Sequence, residues 1–399
     1  MESSAVVTVN TGSSSIKLTV FSAVSDVAEM SRLLDISISN IGQPVSLLQV
    51  KPVTMTAKIE EVQTANHTVA CDIILQKLMQ AIPVGTIMAV GYRLVHGGDK
   101  FTHPTLLKDI TEENWQLLSQ IDPLHTPVAQ QIAIRFTKTF PSIPQVACFD
   151  TVFFNNLPDV AKLIPIPKKY SKLSVRRYGF HGLSYTSLLE TFREEAGETA
   201  VNGRVILAHL GSGASITATK FGKPIDTTMG FTPVSGVPMS TRSGDLDPSV
   251  FGFLHRQNNM TADEFDYMVN FESGLLGVSG VTGDMQKLLT LENENEDAAA
   301  AVDMFVRSVK KSIGAFAATL GGVDSLIFSG GIGEQSAVLR SRICEGLEYM
   351  GIEINDAANE QHDFLISAEQ SRVGVHVIPA DEARVIAKQT IALIKKDEA

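Results

Sequence analysis

The chain is 399 residues long, with 44% hydrophobic and 19% charged residues, a composition typical of folded globular proteins and not of disordered ones. Its 33 basic and 44 acidic residues give a net charge of −11 without a long basic run, which argues against nucleic acid as a partner. Three widely spaced cysteines predict free thiols in a reducing compartment. Because no signal peptide and no stretch long enough to cross a bilayer is evident, we expect a cytoplasmic protein without a membrane partner.

The first regular element is Val6–Phe21, whose two β-rich runs predict a strand, a tight turn and a second strand. The turn Asn10–Ser15 offers backbone N–H groups and hydroxyls, which are the groups that cradle a phosphate. An ordinary polar hairpin turn is the alternative interpretation.

Two later strands are each followed by a charged residue. The apolar run Ile87–Val90 leads to Arg93, and Gln145–Phe149 leads to Asp150. In open α/β sheets, ligands bind beyond the carboxyl ends of the strands, so both residues are candidates for a site. The alternatives are a solvated surface arginine and an aspartate that caps a turn.

Two histidines precede predicted helices. Thr126 and Pro127 are the predicted N-cap and first residue of a helix, which places His125 at the helix N-terminus. His181 lies in a Gly-Phe-His-Gly sequence before another helix, and Ser184 is the predicted cap of that helix. A purely structural role is the alternative for His181.

Residues 205–217 repeat the opening pattern 200 residues later. Ser215 and Ile216 take the places of Ser15 and Ile16, each pair following an apolar strand and a Gly/Ser turn. This internal repeat predicts two similar α/β halves that face each other across a cleft.

The C-terminal half carries two further candidates. Residues 229–247 are rich in Gly, Pro, Ser and Thr, and predict a long loop that carries Arg242. The strand Ser325–Phe328, the glycine turn Gly330–Glu334 and a helix from Ser336 predict a cradle for a nucleotide.

This inventory of glycine turns, loop arginines, histidines and the acids Asp150 and Glu382 is what phosphoryl transfer needs. Backbone cradles hold a nucleotide, carboxylates hold Mg²⁺, and cations surround the transferring group. The P-loop pattern G-x-x-x-x-G-K-[ST] and the protein-kinase motifs H-R-D and D-F-G are absent. A kinase that acts on a small molecule is therefore favoured.

Seven motifs extend this interpretation to nearly the whole chain: VNTGSSSIK, RLVHGGDKF, FDTVFF, RRYGFHGLSY, HLGSGASI, TRSGDLDP and SGGIGE. In this order they resemble the acetate kinase (acetate/propionate kinase) family of the sugar kinase/Hsp70/actin superfamily. The resemblance implies an α/β protein with two duplicated actin/ribonuclease H-like domains and an interdomain cleft. The N-terminal domain would span 1–150, a C-terminal domain with the nucleotide site 151–382, and a closing helix 383–399, expected to pack back on the N-terminal domain.

The activity that this resemblance implies is a Mg²⁺-dependent, reversible transfer of the ATP γ-phosphate to acetate, giving acetyl phosphate and ADP, with Mn²⁺ as a possible substitute metal. A propionate or other short-chain acyl kinase is the alternative, and so is a nucleotide-binding protein of the same superfamily without kinase activity. The implied partner is a second copy of the chain, in a homodimer.

The resemblance also implies the site residues. The catalytic residues would be Arg93, His125, Asp150, His181 and Arg242. Magnesium would be held at Asn10 and Glu382. The acyl substrate would contact Arg93, Val95, Leu124, Phe180 and Pro233. The nucleotide would contact Lys17, His209, Leu210, Gly211, Ser212, Gly213, Asp284, Met285, Gln286, Gly330, Gly331, Ile332, Gly333 and Glu334.

Three positions depart from the family pattern. Ser212 stands where the family usually has asparagine, and Met285 and Gln286 lack the arginine that usually follows Asp284. The usual T-N-E-E near the C-terminus is A-D-E-A here, which keeps Glu382. The departures leave open which nucleotide is preferred.

Overall fold

The computed structural model describes residues 4–23 and 30–397. The chain forms two compact units, the first comprising Met1–Val152 and Asp381–Ala399 and the second Phe153–Ala380. Each unit contains a mixed β-sheet with helices, which confirms the predicted α/β class with two domains. Within the described ranges, no helix combines the length and apolar character needed to cross a membrane.

Unit 1 is built on a large sheet. Its strands are β1 (Ala5–Gly12), β2 (Ser15–Ser22), β3 (Arg32–Ser39), β4 (Ser46–Pro52), β5 (Lys58–Val62), β6 (Ile87–Leu94), β7 (Thr105–Leu106) and β8 (Gln145–Phe149). Its helices are α1 (His67–Ala81), α2 (Glu112–Ile121), α3 (Thr126–Thr139) and, at the C-terminus, α15 (Glu382–Asp397). The last two residues of the predicted closing helix, 398 and 399, lie outside the described residues.

The sheet order in unit 1 is β5-β4-β3-β2-β1-β6-β8-β7. Strand β1 is antiparallel to β2 and parallel to β6, and β6 is parallel to β8. Because the carboxyl ends of parallel strands meet at one edge, the ends of β1, β6 and β8 lie side by side.

The core of unit 1 lies between this sheet and its helices. Helix α1 begins at Asn66, whose side chain accepts the Val69 N–H, and buries Ile74 and Leu78. These side chains join Phe136 of α3 in one cluster with the strands. Helix α15 packs against β1, β6 and β8. Burying each large apolar side chain stabilises the fold by roughly 1.5–3 kcal/mol, so these clusters hold the strand ends in place.

Unit 2 has a smaller sheet. Its strands are β9 (Arg204–Leu210), β10 (Ala214–Lys220), β11 (Lys223–Thr227), β12 (Ser325–Ser329) and β13 (Gly374–Val377). Its helices are α4 (Asp159–Lys162), α5 (Gly182–Ala196), α6 (Glu198–Val201), α7 (Ser249–Asn258), α8 (Ala262–Tyr267), α9 (Gly274–Ser279), α10 (Met285–Leu291), α11 (Glu296–Leu320), α12 (Gly330–Gln335), α13 (Ala337–Cys344) and α14 (Asp356–Glu360). A π-helical segment, Met268–Glu272, precedes α9.

The two sheets share one strand arrangement. In unit 2 the order is β11-β10-β9-β12-β13, with β9 antiparallel to β10 and parallel to β12, and β12 parallel to β13. The strands β3-β2-β1-β6-β8 of unit 1 follow the same pattern of directions. The sequence repeat at 6–21 and 205–217 therefore reflects a repeated supersecondary structure.

Four local expectations were wrong. Arg93 lies inside β6 and not beyond it, because its backbone pairs in register with Cys148 of β8. Thr126 is the first residue of α3 and not its N-cap; the N-cap is His125, which does lie at the helix N-terminus as expected. Helix α5 begins at Gly182, so Ser184 lies within it. The glycine turn Gly330–Glu334 lies in the helix α12, whose first residue, Gly330, has a left-handed backbone.

Candidate functional site

The ends of three parallel strands in unit 1 bring polar residues together. Asn10 is near the end of β1, Arg93 near the end of β6, and Asp150 directly follows β8. Glu382, the first residue of α15, reaches the same place, since its carboxylate accepts a hydrogen bond from the Asn10 side chain at 2.7 Å. We call these four residues the unit-1 cluster.

Arg93 is the centre of the unit-1 cluster. Its Nη2 lies 2.6 Å from Asp150 Oδ2, and its Nε donates to both oxygens of the same carboxylate at 3.1 Å. Its Nη1 donates to Asn10 Oδ1 at 3.1 Å and lies 3.6 Å from a Glu382 oxygen. Asp150 is fully buried, and the Arg93 side chain is 16% exposed. The cluster therefore holds a nearly buried guanidinium in a fixed orientation.

The charge of Arg93 is secured by its neighbours. Burial alone would lower the pKa of the guanidinium, but the carboxylates of Asp150 and Glu382 outweigh burial and raise the pKa above its ordinary value. The group is therefore a permanent cation at any pH at which the protein is folded.

The unit-1 cluster also contains the residues predicted to hold metal. Within residues 4–23 and 30–397, no three or more His, Cys, Asp or Glu side chains form a metal-binding group. Asn10 and Glu382 offer hard oxygen donors, which Mg²⁺ prefers, and Mg²⁺ typically takes only one or two carboxylates beside phosphates and water. The donor set therefore fits a magnesium ion that also binds nucleotide phosphates. Lys17 is exposed on β2, opposite Asn10.

His125 has a carboxylate partner that sequence analysis missed. Its Nδ1 lies 2.8 Å from Asp122 Oδ1, and its backbone N–H also donates to that oxygen. Burial would raise the pKa of Asp122, but the hydrogen bond and charge of His125 outweigh burial and lower it. Asp122 thereby orients the imidazole. Leu124, adjacent to His125, and Val95, which directly follows β6, are both half-buried.

His181 of unit 2 is held in an unusual conformation. Its backbone is left-handed, with φ of 60°, directly before α5. Its Nδ1 lies 2.8 Å from Ser215 Oγ, which in turn lies 2.6 Å from the hydroxyl of Tyr185. Its ring stacks on His209 with the centroids 4.4 Å apart. A non-glycine residue at positive φ is often found at functional sites, where the surrounding structure compensates the strain.

Arg242 and His181 converge on one glycine. A Cβ on Gly213 would lie 3.3 Å from His181 Nε2 and 3.7 Å from Arg242 Nη1. The same Nη1 donates to the backbone oxygen of Pro233 at 3.2 Å. Phe180 and Pro233 are both buried. A cationic side chain and an imidazole thus face the backbone of a glycine turn.

Two glycine-rich segments lie together in unit 2. Because β9 and β12 are parallel, His209 is paired with Ser329, and the segments that follow both strands are neighbours. A Cβ on Gly330 would lie 2.6 Å from the backbone oxygen of Leu210, so only glycine allows this approach. Glu334 accepts the Gly330 N–H at 2.9 Å, which fixes the start of α12.

The remaining predicted nucleotide contacts differ in exposure. Gly331, Ser212 and Gln286 are exposed, Gly211, Ile332 and His209 are half-buried, and Gly333, Leu210 and Met285 are buried. Asp284 is exposed and caps α10, where its side chain accepts the N–H groups of Gln286 and Lys287. The family pattern has an arginine within the two residues after Asp284. Of the two residues found here, Met285 is buried and Gln286 is exposed.

Sequence analysis missed Ser215, Tyr185 and Asp122 as partners of the two histidines. One signal was present for Ser215, because it occupies the place of Ser15 in the internal repeat. Tyr185 lies four residues after His181, and Asp122 three residues before His125, which are spacings that place side chains on one helical face.

Fixed cations and backbone cradles are the groups with which a phosphotransferase stabilises a transferring phosphoryl group. Unit 1 has a fixed cation in Arg93, and unit 2 has Arg242 beside the glycine turn at Gly213. The chain belongs to the acetokinase family, whose sequence model matches residues 5–388.

The chain is similar over nearly its whole length to proteins named acetate kinase and propionate kinase. An acetate kinase of Phocaeicola vulgatus is 39% identical over 400 residues, covering 98% of this chain and all of that protein. The crystal structure of Porphyromonas gingivalis acetate kinase is 36% identical with a TM-score of 0.85, covering 98% of this chain and 100% of that chain. That of a propionate kinase from Francisella tularensis is 31% identical with a TM-score of 0.89, covering 98% of this chain and 99% of that chain.

Proposed function

We propose that the chain is an acetate kinase that transfers the γ-phosphoryl group of ATP to acetate. A carboxylate oxygen of acetate forms a bond to the γ-phosphorus, and the bond from that phosphorus to the β–γ bridging oxygen breaks. The products are acetyl phosphate and ADP, and the reaction is reversible. Beside the family membership, the convergence of Arg242 and His181 on Gly213 carries this proposal, since a protein that only binds nucleotide needs no such group.

The proposed roles follow from charge. The transferring group spreads negative charge over three equatorial oxygens, so fixed donors aimed at those oxygens lower the barrier. Arg93, held by Asp150, and Arg242 supply permanent positive charge. In the proposal the Ser215 hydroxyl donates to His181 Nδ1, which leaves the proton of the imidazole on Nε2 for a hydrogen bond to the transferring group. His125, oriented by Asp122, supports the same group.

Different residues are proposed to bind the nucleotide and the metal. In the proposal, the glycine segments after β9 and β12 hold the phosphates and adenosine through close backbone approach. Asn10 and Glu382 would hold Mg²⁺, with Mn²⁺ as a substitute. The metal neutralises charge on the nucleotide phosphates when it is bound. Asp150 is engaged by Arg93 and orients that guanidinium.

Acetate is the proposed substrate, and propionate the alternative. Val95 and Leu124 in unit 1, and Phe180 and Pro233 in unit 2, are apolar side chains proposed to contact the methyl group. One methylene changes binding in an apolar pocket by about 1–3 kcal/mol, so both acids are expected to react at different rates. Because a propionate kinase is among the similar structures, the assay includes propionate as well as acetate.

The experiment is a hydroxamate assay for acyl phosphate with ATP, Mg²⁺ and acetate, propionate or butyrate. Arg93→Ala and Arg242→Ala should each lower kcat by about 100-fold or more. Arg135→Ala is the matched control, because Arg135 is an exposed arginine paired with Asp72 in unit 1. Wild-type protein that forms no product with any of these acids would refute the kinase and favour a nucleotide-binding protein.

We also propose that the partner is a second copy of the chain. None of the residues of α7 and α8, all of which the structure describes, is buried, and Phe253 and Tyr267 are each 56% exposed. Exposed aromatic side chains on two helices that bury nothing suit a surface that a second copy of the chain covers. Light scattering after gel filtration should give a dimer for the wild type and a monomer for Phe253→Asp. Phe221→Asp, at an exposed turn, should remain a dimer.

A further inference from the structure

The loop that carries Arg242 has little structure of its own. Residues 239–244 lie in the irregular segment 229–247, and one backbone hydrogen bond closes a turn within them, from the Met239 N–H to the Arg242 oxygen at 3.0 Å. Apart from the bond of its guanidinium to the Pro233 oxygen, the position of Arg242 therefore depends on what holds this loop from outside.

A neighbouring segment holds the loop almost residue by residue. The π-helical segment Met268–Glu272 and the start of α9 run beside residues 239–243. Their hydrogen bonds are Leu275 N to Met239 O (2.8 Å), Leu276 N to Ser240 O (2.9 Å), Ser273 N to Thr241 O (2.9 Å), Ser243 N to Val269 O (2.9 Å) and Thr241 Oγ1 to Asn270 O (2.8 Å). We call this set of bonds the loop clamp.

The loop clamp follows from how helices begin. The first N–H groups of a helix have no partner within the helix. In α9 two of these groups, at Leu275 and Leu276, are satisfied by carbonyls of the arginine loop. The π-helical segment just before α9 is a rare conformation that occurs frequently at functional sites. The loop conformation therefore depends on where α9 starts.

Gly274 is the residue at that start, and it allows the close approach. Its φ is +60°, and a Cβ there would lie 2.5 Å from the backbone oxygen of Arg242 and 3.1 Å from its nitrogen, and against the backbone oxygen of Met239. These are backbone atoms, which cannot move aside as the end of a flexible side chain can. Any residue other than glycine must displace the arginine loop.

We propose that Gly274 is a positioning residue for the phosphoryl transfer, acting through the backbone of Arg242. The inference rests on the proposed role of Arg242. A displacement of about 1 Å at a catalytic group can cost on the order of 100-fold in rate. Gly274→Ala should therefore lower kcat by about that factor, with little change in the KM for ATP.

Gly280 provides a matched control at the other end of the same helix. Its φ is +65°, nearly that of Gly274, but a Cβ there meets nothing within 4 Å. Gly280→Ala thus introduces the same strain of alanine at positive φ without touching the arginine loop. It should lose some thermal stability, though less than Gly274→Ala, and should match the wild type in kcat. Equal kcat values for the two variants would overturn the proposal.

A double-variant cycle tests whether Gly274 acts through Arg242. In Arg242→Ala protein the added Gly274→Ala should change kcat by much less than in the wild type, since the side chain that it displaces is already gone. If Gly274→Ala lowered kcat by the same factor in Arg242→Ala protein as in the wild type, Gly274 would act by another route, which would refute the inference. If Gly274→Ala does not fold, Thr241→Val, which removes one bond of the loop clamp, should lower kcat several-fold; unchanged kcat would refute the inference too. Wild-type protein without acyl phosphate activity would instead refute the proposed function.

Discussion

At the scale of single residues, the buried carboxylate of Asp150 holds the Arg93 guanidinium in place. It is fully buried and receives three hydrogen bonds from Arg93, whose side chain is 16% exposed. A buried pair of this kind adds little net stability over an apolar replacement, but removing one partner leaves the other charge uncompensated. The pair is therefore explained better by orientation of the guanidinium than by stability.

We predict that Asp150→Asn destabilises the protein and lowers its activity together. Arg93 would keep only the more distant carboxylate of Glu382, at 3.6 Å. The free energy of unfolding should therefore fall by up to about 3–5 kcal/mol, and kcat should fall about 100-fold as the guanidinium loses its fixed orientation. Denaturant unfolding and the hydroxamate assay measure the two effects.

Asp72→Asn is the control for this prediction. Asp72 lies 2.6 Å from Arg135, the same distance as the pair Arg93–Asp150, but its side chain is 53% exposed. Exposed pairs contribute about 0–1 kcal/mol, so this variant should keep both stability and kcat. If the two variants behaved alike, burial would not be the reason for the effect.

At the scale of elements, β13 carries a buried histidine with an unusual environment. The His376 ring lies between Phe192 and Phe364, with each centroid 4.9 Å away, and its Nδ1 has no hydrogen-bond partner in the described residues. Burial lowers the pKa of His376 to about 4, against an ordinary value of 6.5. The edge strand therefore contains a group that must stay neutral.

We predict that unit 2 loses stability as the pH falls from 6.5 to 4. In this window the unfolded chain binds a proton at His376 and the folded protein does not. The free energy of unfolding therefore rises with pH, and this effect of His376 ends above pH 6.5. A shift of about 2.5 pKa units corresponds to roughly 3 kcal/mol. The free energy of unfolding, measured with urea, should differ less between pH 7 and pH 5 for His376→Phe than for the wild type. His103→Phe, at an exposed position, should keep the wild-type difference.

Helix α12 depends on a buried arginine. Arg340 is fully buried and donates to the backbone oxygens of Gly333 and Glu334 at 2.8 and 2.9 Å, and also to Asn359. Burial lowers its pKa to about 10, so the group is still charged near neutral pH. Its bonds fix the end of the helix whose beginning is proposed to hold nucleotide.

We predict that Arg340→Met weakens nucleotide binding. Hydrogen bonds from a charged group are worth about 1.5–3 kcal/mol, and 1.4 kcal/mol is tenfold in affinity, so the KM for ATP should rise about tenfold or more. The KM for acetate should change little. Arg342→Met is the control, because Arg342 is 35% exposed and pairs with Glu292. Equal rises in the two KM values for Arg340→Met would contradict a role confined to nucleotide binding.

Elements with strong local patterns could be predicted from the sequence, and their boundaries could not. The hairpin of β1 and β2 is where the pattern of Val6–Phe21 indicated it, with the two strands paired from Ala5 to Ser22. Arg93 was expected beyond its strand, because the pairing that extends β6 past Val90 comes from β8, more than 50 residues away. A residue's own neighbours carry no signal for such a long-range partner.

At the scale of the whole molecule, the internal repeat could be predicted because it is written in the sequence twice. The partners of the site residues could not, since they are set by tertiary contacts. Asn10 was singled out from its motif, but its hydrogen bond to Glu382 joins residues 372 positions apart. The loop clamp on Arg242 could not be predicted for the same reason, since its bonds join residues 239–243 to residues 269–276.

The division into two units predicts that turnover and nucleotide binding can be separated. A ligand at 100 times its Kd stabilises the folded protein by about 2.7 kcal/mol, so ATP with Mg²⁺ should raise the Tm of the wild type. Gly330→Ala in unit 2 should lose this shift along with activity, because its Cβ would press on the backbone oxygen of Leu210. Asp150→Asn in unit 1 should lose activity and keep the shift.

Gly346→Ala distinguishes loss of binding from loss of fold in this comparison. Gly346 has a φ of +77° against +75° for Gly330, but a Cβ there meets nothing within 4 Å. Both alanine variants therefore carry the same backbone strain, and only one disturbs the glycine segments. Gly346→Ala should show a lowered Tm with a normal nucleotide shift. A normal shift in Gly330→Ala as well would place the nucleotide elsewhere than the segments after β9 and β12.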